Sequence, residues 1–311
     1  MKGTRGVPRI VVVGSIMVDL IAYADPLPEA GQTVTGTAFE IGCGGKGANQ
    51  ALMARRLGAE VLFVARVGTD TFGDVSLANL ATRGIDPAMV KRVGGLTTGV
   101  APIWVSDDGN NRIIVVPGAN QAMSADEVRT ELAGLTQADS VVCQMEIPDE
   151  AVAAALAIGA ATGAVTILNP APASPQSVLM FGAADWVVPN EHEFEMLWGT
   201  APTDSEMLAA AAQWNCGLVV TLGPAGAAAT NGANVIRIPP PHANVVDTTG
   251  AGDAFVGGLA FGLATGESLV SAISTGNACG ALSTESRGTQ TSFPTAEMVD
   301  LCRSRDNTHA G

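Results

Sequence analysis

The sequence predicts an α/β protein in which a central, mostly parallel sheet is covered by helices on both faces. Two observations carry this. Short apolar runs recur between stretches of helical period. Those runs are continuous rather than alternating, as strands buried on both faces require. A third observation sets the domain count: no linker, low-complexity segment or solenoid-length repeat divides the 311 residues. One domain, 1–311, is therefore expected.

The strands expected in order are 10–13 (IVVV), 61–64 (VLFV), 141–143 (VVC), 165–168 (VTIL), 186–188 (WVV) and 218–221 (LVVT). Helices are expected at 47–57, 72–83, 125–134, 149–160, 204–213, 252–264 and 267–282 from the apolar period. Two stretches, 32–43 and 98–116, alternate instead, and the second carries Asp108-Gly109-Asn110 between β-rich arms, a hairpin signal. They read either as a small antiparallel flap outside the main sheet or as an antiparallel extension of it.

Composition narrows the function. Sixteen Lys+Arg against 30 Asp+Glu leave a formal charge of −14, the opposite of a nucleic-acid footprint. With 47% hydrophobic and 15% charged residues, the chain is neither disordered nor charge-solvated. Five scattered cysteines form no C-x-x-C pair, which argues against a disulfide framework or zinc ribbon and fits a reducing cytoplasm. The uncharged run 151–168 is mostly Ala with Gly159 and Gly163 inside. It reads as a buried helix passing into a strand rather than a membrane span. No membrane or nucleic-acid partner is expected.

Chemistry concentrates in Gly-rich segments. Gly42-Cys43-Gly44-Gly45-Lys46-Gly47 matches G-x-G-x-x-G but lies in the wrong context for a dinucleotide site, because the first strand ends in Gly14-Ser15-Ile16-Met17-Val18-Asp19. Nor is it a Walker A loop, since Lys46 precedes Gly47 rather than Ser or Thr. It reads as a turn opening a helix whose Lys46 and Asn49 can bind sugar hydroxyls, or as a tight loop with a surface lysine. Asp247-Thr248-Thr249-Gly250-Ala251-Gly252-Asp253 precedes an apolar helix. Gly250, Ala251 and Gly252 would place unpaired N–H groups where phosphate charge can sit. Asp253 would accept a proton from an attacking hydroxyl, or merely cap the helix.

Asn190 and Glu193 open another helix one turn apart; they could order hydrated Mg²⁺ beside phosphates or simply complement the helix dipole. Thr221-Leu222-Gly223-Pro224-Ala225-Gly226 ends a strand, where open parallel sheets bind ligands. Neither G-x-S-x-G nor H-E-x-x-H occurs, and three scattered histidines do not suit a His-based hydrolase.

These segments together resemble the ribokinase branch of the phosphofructokinase-B-type sugar kinase family, over nearly the whole chain. GGKGANQA at 44–51 and DTTGAGDAF at 247–255 are the specific signatures. Gln144-Met145-Glu146, Asn169-Pro170-Ala171-Pro172-Ala173, Pro189-Asn190-Glu191 and Thr289-Gln290-Thr291-Ser292-Phe293-Pro294 follow in the order of that family. The resemblance implies a three-layer ribokinase-like fold with a small antiparallel β lid, built from about 16–43 and 97–117, that pairs two subunits as a homodimer. It implies phosphorylation of the 5-hydroxyl of a pentose by ATP. Asp253 would be the base, and Gly250, Ala251 and Gly252 the anion hole. Met17, Asp19, Gly45, Lys46, Asn49 and Glu146 match the sugar-binding positions, together with Asp253. Asn190, Thr221 to Gly226 (Thr221, Leu222, Gly223, Pro224, Ala225, Gly226) and Asn277 would serve the nucleotide, beside Gly252 and Asp253. Glu193 would act on Mg²⁺ through water. Asp247, Thr249, Ser283, Ser286, Gly288 and Ser292 match a monovalent-cation site, usually K⁺.

One departure bears on substrate. Many ribokinases read G-S-I-N-x-D at the first sugar segment; here Met17 stands in place of the Asn. Met17 offers no directed hydrogen bond, and 2-deoxyribose kinases, which this chain resembles through MVDLI, IGCGGKGANQA and GVAPI, also carry Met there. The expectation is a kinase of D-ribose that also takes 2-deoxy-D-ribose. Rival expectations are a nucleoside or fructose 6-phosphate kinase of the same family, or a non-catalytic sugar sensor, against which the presence of Asp253 argues.

Overall fold

The computed structural model describes residues 6–106, 108 and 110–309, the last four as backbone. Its main sheet has nine strands. Seven are parallel, in spatial order β11 (Gly217–Thr221), β10 (Trp186–Val187), β9 (Val165–Asn169), β8 (Ser140–Gln144), β1 (Arg9–Val13), β4 (Glu60–Gly68) and β5 (Val90–Val93). An antiparallel hairpin, β12 (Ala227–Asn231) and β13 (Asn234–Ile238), extends the β11 edge.

Successive residues of β1 enter two different cores. Ile10 and Val12 pack with α1 (Lys46–Arg56), α2 (Thr71–Thr82), α7 (Ala251–Ala264), α8 (Leu269–Ser283) and α9 (Ala296–His309). Val11 and Val13 pack on the opposite face with α3 (Ala125–Glu131), α4 (Asp149–Thr162), α5 (Glu191–Trp198) and α6 (Asp204–Trp214). Burial of both strand faces is why the sequence shows no alternation there. The expected strands and helices each have a counterpart, displaced by a few residues at their ends. The uncharged run lies in α4 and β9, and among the described residues no helix is long and apolar enough to cross a membrane.

The alternating segments supply β3 (Ala38–Gly44), β6 (Gly99–Val105) and β7 (Asn111–Ile113), which join β2 (Met17–Tyr23), a strand outside both, in a separate sheet of order β3-β2-β6-β7. Of the two placements open from sequence, the chain takes the detached lid. Its two outer pairs are antiparallel, but the central β2–β6 pair is parallel, because each strand arrives from the main sheet in the same direction. Of the expected Asp108-Gly109-Asn110 turn, Gly109 lies outside the described residues. The arms it joins pair antiparallel, Val105 opposite Asn111.

Helix α1 begins where the chain passes closest to itself. Gly45 has φ +91°, and a Cβ there would lie 2.7 Å from the Met17 nitrogen. At Gly47 it would lie 2.5 Å from the Ser15 nitrogen. Only glycine lets the helix N-terminus settle against the exit of β1.

Candidate active site

The loops that leave β1, β8, β9, β10 and β11 gather at the C-terminal edge of the parallel strands, the edge at which open α/β sheets bind ligands. A cavity of about 210 Å³ opens there, lined by Lys46, Asn190, Glu193, Thr221, Gly250, Gly252 and Asp253 among others.

Asp253 occupies the third position of α7, 8% exposed. Both its oxygens are held: Asn49 Nδ2 donates to Oδ2 at 2.8 Å and Gln50 Nε2 to Oδ1 at 3.0 Å. A carboxylate has about four lone-pair positions, so capacity for a substrate proton remains. Gly250 enters the helix at φ +78°, where a Cβ would strike Thr289 Cγ2 at 2.4 Å. A Cβ on Gly252 would meet nothing within 4 Å, so space is open beside that N–H. Of the three amides expected to receive phosphate charge, that of Ala251 already donates to the Thr248 carbonyl at 3.2 Å.

Lys46 lines the same cavity, half-buried. Burial opposes its charge, but the carboxylates of Asp253, Glu146 and Glu193 outweigh that and hold its ammonium above the ordinary lysine range. Glu146 is fixed by the Ser15 hydroxyl and by the Lys46 N–H at 3.0 Å. Asp19 lies against Gly44, where a Cβ would come 2.6 Å from its Oδ2. Burial, then Glu146 and Asp253, raise its carboxyl to about 6. Met17 and Asp19, two residues apart on β2, share one face of the lid sheet. The Met17 sulfur accepts from Asn120 Nδ2 at 3.3 Å, and that amide also bonds the Ile16 carbonyl at 2.8 Å.

Asn190 and Glu193 form a reciprocal capping box: Asn190 Oδ1 accepts from the Glu193 N–H, and Glu193 Oε2 from the Asn190 N–H, both at 2.8 Å. The structural alternative raised from sequence is thus realised, yet both residues also line the cavity. One Glu193 oxygen stays outside that bond, and burial raises its pKa while Asn190 and Lys46 pull it down. This suits a carboxylate meeting a metal through water. Thr221 reaches the cavity at the end of β11, and the turn after it is closed by the Leu222 N–H on the Gly226 carbonyl at 2.8 Å. Asn277 does not line the cavity: it is buried, and its amide donates to the carbonyls of Ile238 and Pro239 at 2.9 and 3.2 Å.

The 284–292 loop meets the 247–249 turn. Asp247 Oδ1 accepts from the Thr249 N–H and hydroxyl at 2.9 and 2.7 Å, and Oδ2 from the Gly288 N–H at 3.0 Å. These bonds, against the cost of burial, hold its carboxyl below the ordinary range. Ser283 and Ser292 turn their hydroxyls onto the carbonyls of Gly280 and Thr289, both at 2.8 Å. Their oxygens keep lone pairs, so the set offers hard oxygen donors of the kind alkali and alkaline-earth cations take. Among the described residues, no hydrogen bond joins Ser286 to the group.

Sequence reasoning missed several residues that shape this site. Gln50 touches Asp253, and its position beside Asn49 in GANQ could have marked it. Gln144 donates to Gln50 Oε1 at 2.6 Å, and Asn169 accepts from Gln50 Nε2 at 3.1 Å. Asn120 latches Ile16. Gln144 and Asn169 stand in segments that carry the family resemblance but are given no role there, and nothing local to Asn120 signals its bond.

Comparison with known proteins gives one family. The profile described as pfkB family carbohydrate kinase matches residues 7–296. A deoxyribokinase of Salmonella typhi is 36% identical over 297 residues, covering 94% of this chain and 97% of the relative. A ribokinase of Mus musculus is 38% identical over 302 residues, covering 94% of each chain. The structure of Arabidopsis thaliana ribokinase complexed with ribose and ATP superposes with a TM-score of 0.86 at 30% identity, covering 96% of this chain and 99% of that one.

Proposed function

The chain belongs to the pfkB carbohydrate kinase family, and from that premise we propose an ATP-dependent pentose kinase that phosphorylates the 5-hydroxyl of D-ribose and of 2-deoxy-D-ribose. The observation that carries the reading is Asp253: a buried carboxylate at the N-terminus of α7, facing a cavity it shares with Lys46 and the Gly252 backbone. In this reading Asp253 takes the hydroxyl proton as the sugar oxygen attacks the γ-phosphate. The amides of Gly250 and Gly252 and the α7 dipole meet charge on the transferring group. Lys46 adds a fixed cation, and Asp19, Asn49 and Glu146 orient the sugar. Thr221 and the turn to Gly226 would receive the nucleotide, whose Mg²⁺, when bound, neutralises phosphate charge with Glu193 nearby. K⁺ would lie by Asp247 and Thr249, the lid sheet would pair two subunits, and the five free thiols suit a reducing cytoplasm.

Met17 decides the sugar. A site built to bond a hydroxyl rejects the deoxy analogue by about 10⁴-fold, whereas an apolar one rejects the added hydroxyl by only about 10²-fold. A thioether occupies the place of a directed donor, so both pentoses should enter. ADP release is to be compared for ribose, 2-deoxyribose, adenosine and fructose 6-phosphate, with Asp253→Asn alongside. Both pentoses are expected to be turned over within about 10²-fold of each other in kcat/KM, and the variant to lose several orders of magnitude in kcat while still binding nucleotide. A ribose preference above about a thousandfold removes the deoxyribose reading; near-parent turnover by the variant removes the base.

A further inference from the structure

The donor to Asp253 Oδ2 is the last link of a side-chain chain that starts near the protein surface. Arg83 Nε donates to Asn79 Oδ1 at 2.8 Å, and Asn79 Nδ2 to Gln290 Oε1 at 2.8 Å. Gln290 Nε2 then donates to Asn49 Oδ1 at 3.0 Å, and Asn49 Nδ2 to Asp253 at 2.8 Å. An amide has nearly the same shape either way round, so an isolated Asn49 could present its oxygen or its nitrogen to the site. The ends of this chain remove the choice. A guanidinium only donates and an ionised carboxylate only accepts. The three amides between them must therefore all point in the same sense. Reversing one sets N–H against N–H or oxygen against oxygen. Asn49 and Gln290 are 5% and 3% exposed, so water is poorly placed to repair such a fault.

We propose that Gln290, backed by Asn79 and Arg83, is a positioning residue that fixes the amide orientation of Asn49. With its oxygen taken by Gln290 and one N–H by Asp253, Asn49 has a single N–H left for substrate. That N–H meets a sugar oxygen as a donor, while the amide oxygen stays turned toward Gln290. This inference rests on the reading of Asp253 as the base and Asn49 as a sugar ligand. The Gln290 backbone is tied separately, its carbonyl accepting from Arg56 and Arg83 at 3.4 Å, so a change of side chain leaves the loop anchored.

The test compares Gln290→Glu with Gln290→Met in the full chain, with Arg83→Met and Asp253→Asn measured in parallel. Glutamate keeps the shape and still accepts from Asn79, but an ionised carboxylate cannot donate to Asn49, which must turn its oxygen toward Asp253. Gln290→Glu is expected to raise the KM for the sugar by about tenfold or more and to lower kcat, with the KM for ATP and the melting temperature near those of the parent. Gln290→Met removes the constraint without reversing the amide, and should cost about threefold in sugar KM. Arg83→Met removes the half-exposed end and one of the two donors to the Gln290 carbonyl, Arg56 remaining, and should cost about twofold. Equal losses for Glu and Met, or losses confined to thermal stability or to the KM for ATP, reduce Gln290 to packing and overturn the proposal. If Asp253→Asn is inactive while Gln290→Glu keeps the parent sugar KM, the orientation proposal alone fails. If Asp253→Asn turns over normally, the base reading fails with it.

Discussion

Asp19 would trade stability for the sugar binding proposed for it. Its carboxyl titrates near 6 in the folded chain, through burial first and then Glu146 and Asp253, against an ordinary 3.8. Between those two values the folded chain holds a proton that the unfolded chain has released. Stability from this group therefore rises as pH falls through 6 and levels off below 3.8. Above 6 the ionised side chain is a net burden of about 2 kcal/mol, after discounting the full shift for partial solvent screening. Asp19→Asn is therefore expected to stabilise the sugar-free protein by about 2 kcal/mol at pH 8 and by roughly half that at pH 5, in denaturant unfolding. The same change should abolish tight sugar binding. Equal gains at both pH values would mean that Asp19 is not held protonated by its surroundings. A bound sugar that donates hydrogen bonds to Asp19 would remove most of the burden, so the tension exists only in the empty site.

The element that unites the site is the loop between α8 and α9. Its Thr289 sits where a Cβ on Gly250 would go, its Gly288 N–H holds Asp247, and its Gln290 holds Asn49. A cation beside Asp247 would fasten this loop against the start of α7, where phosphate charge is to be met. Replacing K⁺ with tetramethylammonium at constant ionic strength should then lower kcat by about tenfold, the loss of one charge-assisted contact; indifference to the exchange would empty the proposed cation site. How far such elements can be read from sequence depends on their chemistry. Strands β1, β4, β8 and β9 were legible because burial on both faces makes them unbroken apolar runs. The β12–β13 hairpin was not, because Ala227-Ala228-Ala229 has little strand propensity of its own and is held by pairing with β11. Helix α9 was missed because few apolar residues mark its face: Val299 is buried in the core, with Ala296 and Cys302 packed partly buried against it. In the site, Lys46, Asn49 and Asp253 stood out within Gly-dense turns. Gln290 lay in a quoted segment, yet its partner Asn49 is 241 residues away, and only the fold brings them together.

At the scale of the whole molecule, the lid is where exposed apolar side chains gather. Strand β3 lies at its edge and exposes residues of both faces, among them Phe39 and Ile41, at 61% and 55%. Across the sheet Ile113, Ile114, Val115 and Val116 are also exposed. A four-stranded sheet with so much apolar area facing water resembles half of a sandwich more than a finished surface, and monomers rarely leave such patches open. A second copy presenting the same face would bury both patches in an isologous contact, and a stable one has to cover more than about 1,000 Å² in all. Sedimentation equilibrium at micromolar concentration should therefore give twice the 31.4 kDa of one chain. Phe39→Glu combined with Ile41→Lys should return the protein to a monomer with unchanged melting of the main sheet. Because β2 carries Met17 and Asp19 on this same small sheet, the monomer is expected to bind sugar more weakly while its affinity for ATP holds. A parent chain that sediments as a monomer across that concentration range would leave the apolar strip without a partner of its own kind, and the pairing of lids would have to be abandoned.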